Sequence, residues 1–389
     1  MQVALVCNSA FGTDGISMFV LNNHRLFGHD GMRYHLIYSS LHSPTNVVQG
    51  YVNDFCKDGD KAVYIPKREG MLSYAWHLYQ YLKREHIDVM HVHGSSAAIL
   101  LEMVVAKLEG VDKIVAHCHS TGGNHIRIHK ILRPLVGLLA DERLACGKLA
   151  GEWMYGKKSC FTVIPNCIDA NKYRYNETVR DEVRRELCIG EGTTVIGHVG
   201  AFTAVKNQGF LLKVIKILNE GRNRRYKLLL IGSGTLFSEV KRESEKMSLS
   251  EDVIFLGNRN DVHRLMMAMD VFCLPSLYEG FPIVSVEAQA SGLPVILSEN
   301  ISKEVSITDL VTLLPVEKGL DYWKDEIEKV LTKKTDRACY ANKVKQAGYD
   351  IRRSAAMLES IYKRRKGNKK CNNEDISDRR SWIHRLPFV

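Results

Sequence analysis

Short apolar, β-branched runs alternate with helix-length amphipathic segments along most of the chain. QVALVC precedes SMFVLNNHRLF, VMHVH precedes SAAILLEMVVAKLEG, and KIVAHCH precedes HKILRPLVGLLA. Strands separated by helix-length connections cannot pair as tight hairpins, so the pattern predicts βαβ units around a parallel sheet. The alternation lapses at NCIDANKYRYNETVRDEV, a polar and irregular stretch, and resumes at TTVIGHVG with NQGFLLKVIKILNEG, YKLLLIG, VIFLG, VFCLPS, PVILS and VTLLP. Two open α/β units are expected, joined between residues 165 and 176. The expected division is an N-terminal Rossmann-like domain over 1–168, a C-terminal one over 169–345, a helix over 346–366 placed to cross back to the first domain, and a mobile tail over 367–389. Just before the tail, the helical pattern runs unbroken from about Asp336 to Arg365.

Length and composition refine this picture without changing it. A chain of 389 residues exceeds what one ordinary core organises. No window approaches the ~18 to 20 uninterrupted apolar residues of a membrane span, and the opening MQVALVCNSAFGTDG has no basic leader, so a cytoplasmic location is expected. Ten cysteines without a CxxC pair read as reduced, mostly buried thiols. The formal net charge of +10 asks for an anionic partner. With no aromatic-basic RNA signature, a phosphate-bearing small molecule or an acidic membrane surface is favoured over nucleic acid. The segment 124–140, NHIRIHKILRPLVGLLA, is the candidate for peripheral contact with an anionic membrane, mixing His125, Arg127, His129, Lys130 and Arg133 with leucines and isoleucines. A helix buried on one side of a sheet explains those leucines equally well.

In open α/β sheets ligands gather beyond the carboxyl ends of strands, which directs attention to four loops. NSAFGTDGIS carries Gly12 and Gly15 just ahead of a helix, where bare backbone can approach an anion or sugar; an ordinary strand-to-helix turn uses the same residues. HVHG and AHCHST bring His91, His93, His117 and His119. Residues two apart on a strand share a face, so these pairs have metal-ligand spacing. Satisfied strand-end histidines are commoner, Asp88 is the single carboxylate near either pair, and no metal is expected. GHVGAFTAVKNQG ends a strand with Gly197 and Gly200 and sets Lys206 before a helix starting near Asn207, aiming an ammonium and N–H groups at phosphate.

The fourth loop opens LYEGFPIVSVEAQASGLP, with Pro282 suited to the first turn of a helix that ends near Ser291 and Gly292. The N–H groups of Phe281, Ile283 and Val284 would form an anion site at the sheet edge. Glu279 and Glu287 lie eight residues apart, which at helical rise is on the order of 12 Å. That separation is too large for two carboxylates sharing one bond-breaking event, but suits the two ends of an extended hydroxylated ligand. The plainer alternative is one acid favoured by the helix dipole and one surface glutamate.

Glu279-x7-Glu287 within PSLYEGFPIVSVEAQASGLPVILSE resembles glycosyltransferase family 4, retaining enzymes of the GT-B fold in which two Rossmann-like domains face each other across a cleft. DVMHVHG, KIVAHCHST, LACGKLAGEWMYG, VIPNCID, GHVGAFTAVKNQ, LLLIGSGTL and NRNDVHRLMMAMDVFCLPSLYEG follow in the family's order, and the bacterial branch that builds capsules and exopolysaccharides is the most similar. The resemblance implies a nucleotide-sugar donor, expected to be UDP-linked, held mainly by the second domain, and a glycan or lipid-linked acceptor held by the first. It implies that Glu287 binds the ribose hydroxyls, Glu279 lies by the donor sugar and phosphates, and Lys206 neutralises the diphosphate as a metal does elsewhere. It further implies that Gly280, Phe281, Pro282, Ile283 and Val284 contact sugar and phosphate, that Asn258 and Arg259 border the base, that Gly15 belongs to the N-terminal loop, and that His119 lies near the reacting face of the sugar. No cofactor or metal is implied, and front-face attack needs no enzymatic nucleophile. Relatives usually place arginine where this chain has Ala201, so the diphosphate clamp lacks one cation. That departure keeps in play a sugar-nucleotide-binding partner of weak or no activity, and the shared fold separately admits an epimerase or phosphorylase.

Overall fold

A computed structural model describes residues 1–12, 14–39, 46–123, 125–221 and 225–364. Asn124 and the tail expected over 367–389 lie outside the described residues. The chain divides into one unit formed by Met1–Asn166 with Arg352–Val389 and a second formed by Cys167–Ile351.

The first unit is built on a parallel sheet of seven strands: β1 (Gln2–Ala10), β2 (Arg33–Ser39), β3 (Lys61–Tyr64), β4 (Val89–Gly94), β5 (Lys113–Cys118), β6 (Glu142–Ala145) and β7 (Thr162–Val163). Their order is β3-β2-β1-β4-β5-β6-β7, which puts the switch in winding direction between β1 and β4. Both faces are covered. Ala4 and Val6 pack on one side with Leu78, Met90 and Met103, while Val3 and Leu5 pack on the other with Phe19, Val20 and Leu36. Two-sided burial is why the strands read as continuous apolar runs without strict alternation.

The second unit repeats the plan with β8 (Thr194–Val199), β9 (Tyr226–Ile231), β10 (Val253–Gly257), β11 (Val271–Leu274), β12 (Val295–Ser298) and β13 (Val311–Leu314), in the order β10-β9-β8-β11-β12-β13. Its switch point falls between β8 and β11. The loops leaving those two strands are GAFTAVK and PSLYEGF, so topology makes neighbours of segments some 70 residues apart.

Two sequence expectations need correction. The polar joint is not irregular throughout, because Glu177–Glu186 is a helix opened by Asn176, whose side chain accepts from the N–H of Val179. Its Arg180 and Arg184 anchor to Asp270 and to backbone carbonyls of Met267, Ala268 and Met269. The helical pattern before the tail is also not unbroken. Tyr340–Gln346 ends ahead of Gly348, which takes a left-handed φ of +92°, and a new helix, Ile351–Lys363, starts after a bridge between Ile168 and Asp350. This last helix adds Ala355, Leu358, Ile361 and Tyr362 to the core of the first unit, beside Phe27 and Tyr34. Lys113, at the start of β5, donates to the carbonyls of Ile361 (2.8 Å), Tyr362 (3.1 Å) and Arg364.

Candidate functional site

At the switch point of the second unit, two loops are fastened to each other before any side-chain chemistry is considered. After β8 the chain buries the Phe202 ring, makes a tight turn over Ala204–Lys206, and enters the helix Gln208–Asn219 through Asn207 at a left-handed φ of +56°. Phe202 donates its N–H to the Ser233 carbonyl at 2.9 Å, while Gln208 donates to the Ala201 carbonyl at 2.9 Å. The loop after β11 is tied to this turn by the Leu277 N–H on the Val205 carbonyl (2.8 Å) and the Asn207 amide on the Pro275 carbonyl (3.3 Å). Gly232 explains the closeness of the neighbouring loop after β9. It has a φ of +134°, and a Cβ there would lie 2.1 Å from the Gly200 carbonyl oxygen.

This scaffold brings Lys206 and Glu279 together. The Lys206 ammonium donates to Glu279 Oε1 at 2.6 Å, and the buried Ser276 hydroxyl donates to the same oxygen at 2.6 Å. Backbone pairing of Glu279 with Ile301 and Ser302 holds the glutamate from the other side. The ion pair is only 14–19% exposed on its side chains, which places it between a surface pair and a buried one and strengthens its field over that of a solvated lysine. An ammonium has three donors and this contact uses one.

The helix Ile283–Ala290 starts immediately afterwards, with Pro282 as its N-cap. Among the described residues no acceptor meets the N–H groups of Phe281, Ile283 or Val284, which leaves the positive end of the helix dipole open next to Gly280. The Phe281 ring stacks on Tyr349 at 5.6 Å, fixing the approach to the helix. Glu287 lies one helical turn beyond Ile283 and accepts from the Tyr173 hydroxyl at 2.7 Å. Burial pushes its carboxyl above the usual glutamate range, opposed by that hydroxyl. Glu279 and Glu287 share no hydrogen-bonding partner among the described residues, so they act as separate anchors.

Other expected residues are placed as follows. Asn258 and Arg259 are exposed after β10, and Arg259 forks onto Asp261 through Nε (2.7 Å) and Nη2 (2.6 Å), a pairing that holds the Asp261 carboxyl below the ordinary range. Ala201 is exposed, and Lys206 is the one cation bonded to Glu279 among the described residues. In the first unit, Gly15 opens the helix Gly15–His24 behind the capping Asp14, and a Cβ there would meet nothing within 4 Å. Packing within the unit therefore does not require glycine at that position. His119 follows β5 with its Nε2 3.0 Å from His93 Nδ1. Burial pushes its pKa down to about 3, so the ring is neutral at physiological pH.

Sequence reasoning missed Ser276 and Tyr173. Ser276 precedes Glu279 by three residues in PSLYE and was open to notice as a local partner. Tyr173 meets Glu287 across 114 residues, and nothing local signals it.

Comparison with known proteins adds relatives to this geometry. Residues 13–172 match the family described as Glycosyltransferase Family 4, and residues 179–348 match Glycosyl transferases group 1. The chain is 32% identical to "Putative glycosyltransferase EpsF" of Bacillus subtilis (strain 168), over 80% of this chain and 85% of that protein. It is 28% identical to the UDP-Gal:alpha-D-GlcNAc-diphosphoundecaprenol alpha-1,3-galactosyltransferase of Escherichia coli, over 64% of this chain and 69% of that protein. Among solved structures, Anabaena Alr3699/HepE in complex with UDP-glucose superimposes with a TM-score of 0.74 at 17% identity, covering 92% of this chain and 98% of that one.

Proposed function

The chain belongs to glycosyltransferase family 4, and we propose that it moves a sugar from a UDP-linked donor to a glycan or lipid-linked acceptor in the assembly of a bacterial polysaccharide. The observation that carries this reading is the Lys206–Glu279–Ser276 cluster beside the open helix start at Phe281–Val284. A diphosphate set there meets one ammonium and a row of N–H groups, while Glu279 accepts from a hydroxyl of the donor sugar. Glu287, a helical turn deeper, accepts from the ribose. Support for the donor and acceptor comes from the relatives: the HepE structure holds UDP-glucose, and the E. coli enzyme is named for UDP-Gal and a diphosphoundecaprenol-linked sugar.

In the transfer step the bond from the sugar's anomeric carbon to the diphosphate oxygen breaks with its electron pair moving to that oxygen. The acceptor oxygen attacks the same face, its proton passing to the departing phosphate, so configuration is retained. Lys206 and the helix N–H groups stabilise the charge growing on the leaving group, the role a metal has in other transferases. His119, in the first unit, is neutral and bonded to His93, so it offers hydrogen bonds and no charge.

Thermal shift against UDP, GDP, ADP and their sugars tests the donor site; a ligand at 100 times its dissociation constant adds about 2.7 kcal/mol of stability. UDP and a UDP-sugar are expected to raise the Tm, and UDP release is expected only when an acceptor is present. A flat panel defeats the proposal. Binding without turnover across an acceptor panel points to a non-catalytic partner, conversion of UDP-sugar without acceptor to an epimerase, and phosphate dependence to a phosphorylase.

We also propose that the first unit rests on an anionic bilayer through the helix Ile126–Leu139. Ile128, Ile131, Leu135 and Leu138 are 56, 73, 45 and 77% exposed and recur at the spacing of one helical face, flanked by exposed Arg127 and Lys130. His129 and Val136 on the opposite face are buried and Leu132 and Leu139 pack partly against the core, which leaves the four exposed residues uncovered by it. No helix among the described residues is long and apolar enough to cross a membrane. Vesicles containing phosphatidylglycerol should sediment the protein and purely zwitterionic ones should not, with Ile131→Glu plus Leu138→Glu weakening binding at least ~10-fold. Equal recovery of wild type and variant would defeat the assignment.

A further inference from the structure

The histidines at the carboxyl ends of β4 and β5 form a cluster that the donor chemistry does not use. His91, His93 and His117 are 0, 1 and 0% exposed, and strand register sets His93 directly opposite His117. Their rings are close: His91 lies 3.9 Å from His93 and 5.4 Å from His117, centroid to centroid, while Phe19 sits edge-on to His117 at 5.0 Å. The hydrogen bonds are one-sided. His91 Nδ1 meets the Tyr362 hydroxyl at 2.7 Å and His93 Nδ1 meets His119 Nε2 at 3.0 Å. His91 Nε2 and both ring nitrogens of His117 are buried with no hydrogen-bond partner among the described residues. One nitrogen from each of the three rings lies within 4.8 Å of the others.

We propose that His91, His93 and His117 hold a single first-row transition ion, of which Zn²⁺ is the natural probe. Three imidazoles without a carboxylate suit zinc, copper or nickel and not calcium or magnesium. A Zn–N distance of about 2.0 to 2.1 Å puts tetrahedral ligands about 3.4 Å apart, so the rings close on the ion by modest rotations. The outer contacts are those of metal-bound histidines, whose second ring nitrogen is oriented by a hydrogen bond: the Tyr362 hydroxyl does this for His91, and His119 for His93. Water completes the coordination.

A second histidine group, His24, His29 and Asp60, sharpens the contrast. There each histidine Nε2 already bonds Asp60 Oδ2, at 2.7 and 2.8 Å, and Asp60 Oδ1 accepts from the Tyr34 N–H at 2.9 Å. That group is satisfied without an ion. The proposed ion lies in the first unit and does not handle the diphosphate assigned to Lys206 in the second. It makes His93 a positioning residue, because metallation at Nε2 keeps the proton on Nδ1. His93 then donates to His119 Nε2, and the proton of His119 is placed on its Nδ1.

The test uses the full chain expressed with zinc in the medium and measures metal content by mass spectrometry after gel filtration. About one zinc per chain is expected in wild type and in His29→Gln, and none in His117→Phe or His91→Gln; adding Zn²⁺ to chelator-stripped wild type should raise the Tm by several degrees. Far-UV circular dichroism and the thermal transition of each variant, without nucleotide, report whether the chain is folded. If the cluster variants do not fold, Co²⁺ replaces zinc in wild type, where a visible band of nitrogen-ligated, four-coordinate cobalt is expected. Metal-free wild type with no Tm response, zinc retained by His117→Phe or lost from His29→Gln, or a featureless cobalt spectrum each overturns the proposal.

Discussion

Lys206→Met is expected to lower kcat about 100- to 1000-fold while changing the KM for the UDP-sugar much less. The charge Lys206 meets is larger in the transition state than in the bound donor, because the bond to the anomeric carbon is breaking toward the diphosphate. Glu279 and Ser276 hold the ammonium in place beforehand, so no reorganisation is needed as that charge grows. Ala201 makes the loss more severe, since among the described residues no second cation shares the contact with Glu279. The position is exposed and can receive a longer side chain, so Ala201→Arg in the Lys206→Met background should recover part of the lost rate. Steady-state UDP release measures both variants. A kcat for Lys206→Met within about threefold of wild type, less than 1 kcal/mol of barrier, would remove Lys206 from the mechanism.

Glu287→Ala acts on binding. Losing a charged acceptor for the ribose should weaken UDP about 10- to 100-fold, corresponding to the ~1.5 to 3 kcal/mol of a hydrogen bond to a charged group. Calorimetric titration should also show UDP affinity in the wild type falling from neutral to mildly acidic pH. Burial has raised the Glu287 carboxyl, and only its ionised form accepts from both ribose hydroxyls. Stability has the opposite sign. A carboxyl whose folded pKa is raised contributes stability that is present below its unfolded value and lost as pH rises through the folded one, so this group favours the fold in acid while it disfavours the ligand. Glu287→Gln should abolish this part of the pH dependence of both quantities. An unchanged affinity profile in Glu287→Gln would show that another group titrates.

Those two glutamates were legible because their spacing is local, and so was the strand pattern, since parallel strands buried on both faces advertise themselves as apolar runs. What escaped depended on contacts distant in sequence. The helix Glu177–Glu186 has Val183 as its buried apolar residue and is held by arginines reaching Asp270, so its sequence offers few apolar positions by which to recognise it. The break at Gly348 was hidden because a lone glycine in a helical pattern costs only about 1 kcal/mol, and it is the bridge from Ile168 that selects the turn. The histidine spacing was plain, yet its meaning was not. Register between β4 and β5 assembles the cluster, and Tyr362 arrives from 271 residues further along.

The return of the chain to its first unit has a consequence during synthesis. The ribosome delivers all seven strands of that unit early, but Ala355, Leu358, Ile361 and Tyr362 emerge only after the whole of Cys167–Ile351. At about 5 to 20 residues per second the delay is on the order of 10 to 40 s. Throughout it, Phe27 and Tyr34 lack their cover, Lys113 lacks the carbonyls that receive it, and His91 lacks its hydroxyl. The part of the protein made first is therefore the part finished last, and a nascent chain stalled before Arg352 presents an apolar seam to chaperones and to other nascent chains.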